Sequence, residues 1–446
     1  MAKKEEPIIA PPLALQAGNG DQALEIQARQ SGAMPHLLIL LYDALAKRSE
    51  KVMLDFTREA MTCRYFIDGV WHNVQGRDRA LGDAMLVILK TLAALNPADR
   101  RNRQSGEFKI EHTKTKAKFN GKITSQGVPT GERVLLEVRS KKAKNPTTLD
   151  EIGMRDKMQE KLKSYLNDES GLVLISAPQS GGFTTTWNVS LGASDRLMRD
   201  VIGLESEDKP ETDVENIAIH PFGGGGGKPF TETLRSLMLK EPDALVVPEF
   251  PDGQAVDAIC KAVNEQGKLG IAGVKAKDAV EALLRIVALK GSASEFAKSV
   301  RAVLNVRQVR KLNDTCKQPY QPPPQLLQRL GIPANAGVRA FYREWQPPPP
   351  DPEEAKKKPP PLPPGACELC KQVGPQCNGL GYLGRTGVFE LLEITDPIRQ
   401  AIVQKPNLDA IRQLARSGGH RSLQEEGVLL VAQGVTSLQE LQRALK

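Results

Sequence analysis

Apolar residues recur along this chain in two rhythms, and the change from one to the other divides it. Residues 1–32 show neither; with Pro11-Pro12 and Gly18-Asn19-Gly20 they predict a mobile tail. Helical spacing appears from His36 to Lys47, and Val52 to Phe56 then alternates as a strand does. A second strand, Cys63 to Ile67, ends at Asp68-Gly69, a hairpin-type turn signal. A helix over Ala80 to Leu95 and strands at Phe108 to Glu111 and Val134 to Val138 complete a first unit. Residues 33–145 therefore predict a small α+β domain with an antiparallel sheet.

The second rhythm begins with an amphipathic helix, Met154 to Leu166, followed by the unbroken apolar run Leu172-Val173-Leu174-Ile175-Ser176. Such a run marks a strand buried on both faces. Val201 to Leu204 and Ala244 to Val247 read the same way, and between them Phe230, Leu234, Leu237 and Met238 share one helix face. Helices and strands alternate to about residue 312, so residues 146–320 predict an α/β domain with a largely parallel sheet. Composition then changes. Of 32 prolines, 15 fall between Pro319 and Pro364, which marks residues 321–366 as a spacer. At ~3.1 Å per residue its densest part would reach about 55 Å. Residues 367–446 hold a cysteine cluster and helices at Leu408 to Ala415 and Leu423 to Ala432.

Composition narrows the class. A chain of 446 residues, 40% hydrophobic and 26% charged, has the balance of a soluble protein with a core. No apolar run reaches the roughly eighteen residues of a membrane span. Met1-Ala-Lys-Lys-Glu-Glu has no apolar segment after its lysines, so no secretory signal is expected. Six cysteines in this length make no disulfide framework. A cytosolic multidomain protein is the expectation. The net charge of +8 sits in short runs such as Lys356-Lys357-Lys358. Without a nucleic-acid-binding aromatic signature or a zinc-finger helix it reads as solvated surface, and no nucleic acid partner is expected.

The most informative chemistry follows the strand at 172–176: Ala177-Pro178-Gln179-Ser180-Gly181-Gly182-Phe183-Thr184-Thr185-Thr186. Strand, glycine-containing loop, then a threonine-rich helix start is the architecture of a phosphate-binding P-loop. In a working loop the backbone N–H groups cradle the phosphates, a lysine counters their charge and a Thr or Ser holds Mg²⁺. Here Phe183 stands at the lysine position, and the alternative reading is an ordinary strand-to-helix turn. Gly223 to Gly227 with Lys228 reads as no second P-loop, because Phe222 and Pro229 occupy required positions and no strand is expected before it. Cys367, Cys370 and Cys377, with Cys316 upstream, offer four thiolates, enough for a closed tetrahedral zinc site; reduced cysteines without metal are the alternative. Cys63 and Cys260 lie in apolar patterns and read as core.

Over about residues 50–446 the chain resembles the type II secretion and type IV pilus assembly ATPases. Arg64-Tyr65-Phe66-Ile67-Asp68-Gly69 and Gly131-Glu132-Arg133-Val134-Leu135-Leu136 look like segments of that family's N-terminal regulatory domain. Gly171 to Thr186 looks like its P-loop, and Glu241 to Asp252 stands at its Walker B segment. Gly381-Tyr382-Leu383-Gly384-Arg385-Thr386-Gly387-Val388-Phe389-Glu390-Leu391-Leu392 is the most specific match. The resemblance implies a RecA-like core, ATP with Mg²⁺ at residues 178–185, and a hexamer docked on an inner-membrane platform protein at the cytoplasmic face. It also supports zinc at the cysteines, although Asn313 stands where a further upstream Cys would be.

By the same resemblance Glu249 and Asp252 stand for the Walker B acids, Glu205 for the acidic box, and Lys275 at the place of a phosphate-sensing histidine. The departures fall on catalytic positions. Two functions are left open: a scaffold or regulatory subunit that hydrolyses ATP weakly or not at all, and a divergent but active ATPase.

Overall fold

A computed structural model describes residues 10–141, 144–224, 227–333, 340–345, 377, 379–404 and 406–446. Contacts divide the chain into two compact units, meeting in sequence at Lys144 and Asn145.

The first unit is a seven-stranded antiparallel sheet with three helices. Its elements are β1 (Leu13–Ala17), α1 (Gln22–Arg29), α2 (Met34–Ala46), β2 (Lys51–Phe56), β3 (Ala60–Ile67), β4 (Val70–Asp78), α3 (Arg79–Leu92), β5 (Gln104–His112), β6 (Lys118–Val128) and β7 (Gly131–Ser140). The sheet order is β1-β5-β6-β7-β2-β3-β4. Buried and half-buried residues alternate along β2 and β3, as expected of a sheet with one face on the core. Asp68 and Gly69 both take positive φ, 47° and 87°, the backbone of a two-residue hairpin turn whose twist matches its strands. Lys90 of α3 and Glu132 of β7, both fully buried, pair at 2.6 Å.

Residues 10–32 depart from the expectation of a mobile tail, since β1 and α1 lie there. Leu13, Leu15 and Ala17 are buried and β1 pairs antiparallel with β5, Leu13 opposite His112. A three-position apolar alternation between proline and glycine clusters is enough for an edge strand when a partner lies far along the chain.

The second unit is a seven-stranded sheet, parallel except at one edge. It comprises α4 (Asp156–Leu166), β8 (Gly171–Ala177), α5 (Phe183–Gly192), β9 (Val201–Ser206), β10 (Ala218–Phe222), α6 (Phe230–Met238), β11 (Ala244–Val247), α7 (Gly253–Gln266), β12 (Leu269–Lys275), α8 (Ala279–Ala288), α9 (Ala293–Ser299) and β13 (Val300–Leu312). Then come β14 (Gln318–Tyr320), α10 (Pro324–Arg329), β15 (Phe341–Arg343), β16 (Tyr382–Glu393), α11 (Asp396–Gln404), α12 (Leu408–Ser417), α13 (Leu423–Ala432) and α14 (Leu438–Leu445). The sheet order is β10-β9-β11-β12-β8-β13-β16, and only β16 runs antiparallel, against β13.

Helices cover both faces of this sheet. Leu172 and Leu174 of β8 join one core with α6–α9, α11 and α12; Val173, Ile175 and Ala177 join the other with α4 and α5. This two-sided burial explains the unbroken apolar runs. The arrangement is a RecA-like α/β core. The C-terminal region is joined to it through β16, so it shares the core sheet. The part of the Pro-rich spacer that is described also differs from expectation: α10 and β15 lie there, β15 paired with β14, and Phe341 is buried among Val388, Leu423 and Val431. Apolar residues between the prolines (Leu326, Leu327, Leu330 and Ile332) pack on that cluster. Among the described residues no helix is long and apolar enough to cross a membrane.

Candidate functional site

Parallel α/β sheets place ligands beyond the carboxyl ends of their strands. At that edge lie the loop 178–182 after β8, residues 207–217 after β9, 248–252 after β11 and 276–278 after β12.

The loop after β8 has the backbone of an anion cradle. Gly182 takes φ +100° as N-cap of the ten-residue α5, and a Cβ there would fall 2.8 Å from the Gln308 side chain. Glycine is required on both counts. Ser180 also adopts positive φ, 60°, at a small steric cost to a non-glycine residue. Gly181 N–H donates to the Pro178 carbonyl at 2.9 Å and Thr186 N–H to the Gly182 carbonyl at 3.1 Å. Gln179 and Ser180 are exposed, while Pro178 and Thr185 are half-buried.

Phe183 turns inward. It is only 8% exposed, its ring is stacked on that of Trp187 with centroids 5.5 Å apart, and its tip lies against Gly273 of β12. A lysine in its place would owe its position to phosphate; Phe183 owes its position to the core. Thr184, at the position that would hold Mg²⁺, donates its hydroxyl to Glu211 at 2.6 Å.

Glu211 belongs to a strap, residues 209–213, that crosses α5. Asn188 holds it from below: its amide donates to the Thr184 and Glu211 carbonyls at 3.0 Å each and accepts from Asp213 N–H at 2.7 Å. Trp187 donates its indole N–H to Thr212 at 2.9 Å. Glu205, 3% exposed, accepts from the N–H groups of Glu211 and Thr212 at 3.1 and 2.8 Å. The structure thus gives this acid the task of fastening the strap. Nothing in its local sequence showed which N–H groups it would meet.

Glu249 and Lys275 are brought together, 3.6 Å apart, and Lys209 of the strap reaches the same Glu249 oxygen at 3.4 Å. All three side chains are about half exposed or more. Lys275 pairs in register with Ala177, the residue that opens the loop. Asp252 lies apart from this triad and caps α7, accepting from Ala255 N–H at 2.8 Å. Glu211 and Lys209 were missed by sequence reading, because the strap acquires its role only by folding back over α5. The site can seat an anion at a glycine loop and helix start, but it keeps its hydroxyl on a carboxylate and its lysines on Glu249.

Of the four cysteines, Cys316 and Cys377 are buried with their sulfurs 3.8 Å apart, and Cys367 and Cys370 lie outside the described residues. No cluster of three possible metal ligands occurs among the described residues. The 3.8 Å separation fits a zinc donor pair, since a tetrahedron with ~2.3 Å zinc–sulfur bonds has an edge of about 3.75 Å. Burial pushes the Cys63 thiol up to about 12 and that of Cys260 up to about 11, as befits core residues.

Glu390 is a functional-looking residue with a structural post. It is 2% exposed, and its two oxygens accept from Ala279 N–H at the start of α8 and from Leu423 N–H at the start of α13, the latter at 3.0 Å. His420 Nε2 lies 3.5 Å away.

Comparison with known proteins places this geometry. Residues 28–443 match the model of a family described as type II/IV secretion system protein. The type IV pilus assembly ATPase PilB of Pseudomonas aeruginosa is 24% identical over 91% of this chain and 66% of its own length. The type II secretion system protein E of Dickeya dadantii is 26% identical over 91% of this chain and 74% of its own length. The chain therefore spans slightly under two thirds of that pilus ATPase. In fold it is similar to the ATPase DotB of Legionella pneumophila, with a TM-score of 0.56 and 12% identity, covering 99% of this chain and 97% of that one.

Proposed function

The chain belongs to the type II/IV secretion system protein family, and from that premise we propose that it is a motor-family subunit with very slow or no ATP hydrolysis, serving as scaffold or regulatory subunit of a type II secretion or type IV pilus system. One observation carries this reading: the side chain at the lysine position is buried in the core, and the Thr184 hydroxyl beside it is held by Glu211. A lysine at ~4 Å from the transferred phosphate, at an effective dielectric near 20, is worth about 4 kcal/mol. At ~1.36 kcal/mol per tenfold, its loss slows the chemistry by about a thousandfold.

The further parts of the reading rest on the family. The subunit joins a homomeric or mixed hexamer, docks on the inner-membrane platform protein, and works in the cytoplasm as a peripheral component at that membrane. Its loop keeps weak affinity for ATP with Mg²⁺. Zinc is held by Cys316, Cys367, Cys370 and Cys377; the spacing of the first and last sulfurs supports this, and metal analysis of reduced protein tests it.

A second reading has its own observation. Lys275, beside Glu249 and in register with the start of the loop, is a cation that could serve the phosphates from the neighbouring strand, giving a divergent active ATPase. Steady-state phosphate release separates the two. The scaffold reading expects well under one turnover per minute. A faster rate that vanishes in Lys275→Ala overturns it and assigns the lysine's work to Lys275.

A further inference from the structure

Away from the P-loop, a cleft of about 420 Å³ opens between the starts of α8 and α13 and the end of α12. Its charge is lopsided. Five cationic side chains, Lys277, Arg307, Arg412, Arg416 and Lys446, line it, against two side-chain carboxylates, Asp278 and Glu390. Both carboxylates are already engaged. Asp278 pairs with Arg412 and accepts from Glu281 N–H at 2.7 Å; Glu390 holds two helix starts and faces His420.

The remaining cations make no close ion pair among the described residues. Among the described residues the Arg307 guanidinium, half-buried, donates only to main-chain carbonyls, those of Lys277 at 3.4 Å and Ala444 at 3.2 Å. Burial lowers its pKa, a penalty on its charge that the carboxylates of Asp278, Glu281 and Glu390 only counter from a distance. Arg416, on the exposed last turn of α12, makes no ion pair among the described residues. A half-buried guanidinium without a carboxylate partner is costly unless an anion visits it.

We propose that this cleft is a binding site for a small ligand carrying a di- or polyphosphate group. Guanidinium forks match phosphate oxygens in pairs, whereas a lone ammonium acts as a point charge. Three guanidiniums and two ammoniums in a single cleft suit more than one phosphate, and its volume is that of a small-molecule site. Its lining shares no residue with the loop 178–185, and its occupancy does not depend on whether ATP is hydrolysed.

Calorimetric titration of the full chain with inorganic pyrophosphate, without Mg²⁺, tests the assignment. Saturable binding is expected, weakened about tenfold or more by Arg416→Ser and by Arg307→Gln, as loss of a charge-assisted hydrogen bond requires. Lys275→Ala, at the P-loop edge, leaves it unchanged. Orthophosphate binds at least about tenfold more weakly than pyrophosphate, since it reaches fewer of the five cations. Should Arg307→Gln disturb folding, Arg416→Ser on its exposed turn still gives the answer. The site is overturned by absent saturation, by unchanged binding in Arg416→Ser, or by loss in Lys275→Ala. Equal affinity for the two anions overturns the polyphosphate class.

Discussion

Two carboxylates in the second unit sit at helix starts, and they are held in opposite ways. Glu211 reaches the start of α5 through the Thr184 hydroxyl, in an exposed contact made by side chains. Glu390 reaches the starts of α8 and α13 through their backbone N–H groups, almost fully buried. A side-chain partner can rotate away and be replaced by water. A buried backbone N–H cannot, so its carboxylate is part of the fold. The P-loop end has thus been filled from within by groups that could leave, whereas the β16 segment keeps an acid that the architecture needs.

The comparison breaks most readily at Glu390. Glu390→Ala leaves two buried N–H donors unmet, at ~1–3 kcal/mol each, plus a cavity, so a loss of about 4 kcal/mol in urea unfolding is expected. Glu249→Ala, which removes an acid half-exposed in its ion triad, should change stability by less than about 0.5 kcal/mol. Similar losses in the two variants would erase the distinction. Phe183→Ala comes next, at about 3 kcal/mol, because it empties a packed site against Trp187 and Gly273. A negligible loss would mean that the ring does not pack in solution.

Glu211→Ala sharpens the other side. It removes one exposed hydrogen bond, so stability should fall by about 1 kcal/mol or less. The Thr184 hydroxyl is then available to a metal ion, and affinity for a fluorescent ATP analogue should rise with Mg²⁺ but not without it. Equal affinity in wild type and variant, under both conditions, would show that Glu211 does not guard the loop.

The same contrast explains what was legible in the sequence. The strand at 172–176 and the loop after it could be read because burial on both faces and the glycine requirement at Gly182 are local properties. Segment 381–392 could be read as a resemblance, but its part in the core sheet could not, because β16 pairs with β13 across roughly seventy to ninety residues. β10 escaped because it is an edge strand with mostly exposed or half-buried residues. Glu205 drew notice through the resemblance, as the acidic box, and its work on the strap depended on backbone groups that no spacing rule locates. Cys316 and Cys377, likewise, become neighbours only through the fold.

The smallest effect lies at His420, and its sign follows from its partners. Burial alone would lower its pKa, but the hydrogen bond and charge of Glu390 and the Leu391 carbonyl outweigh it, and the net shift is upward from 6.5. The geometry agrees: Nδ1 lies 3.2 Å from the Leu391 carbonyl and Nε2 faces Glu390, so only the protonated ring donates to both. With the folded value above the unfolded one, this contribution is fully present below about pH 6.5 and fades as pH rises through the folded value. His420→Gln should remove that part of the decline in stability above pH 6.5 while leaving the acid side of the profile in shape. Unfolding midpoints measured from pH 5.5 to 8.5 check it, over a range chosen to span ~6.5. A variant whose profile runs parallel to wild type throughout would mean that Glu390 is held by the two helix starts alone.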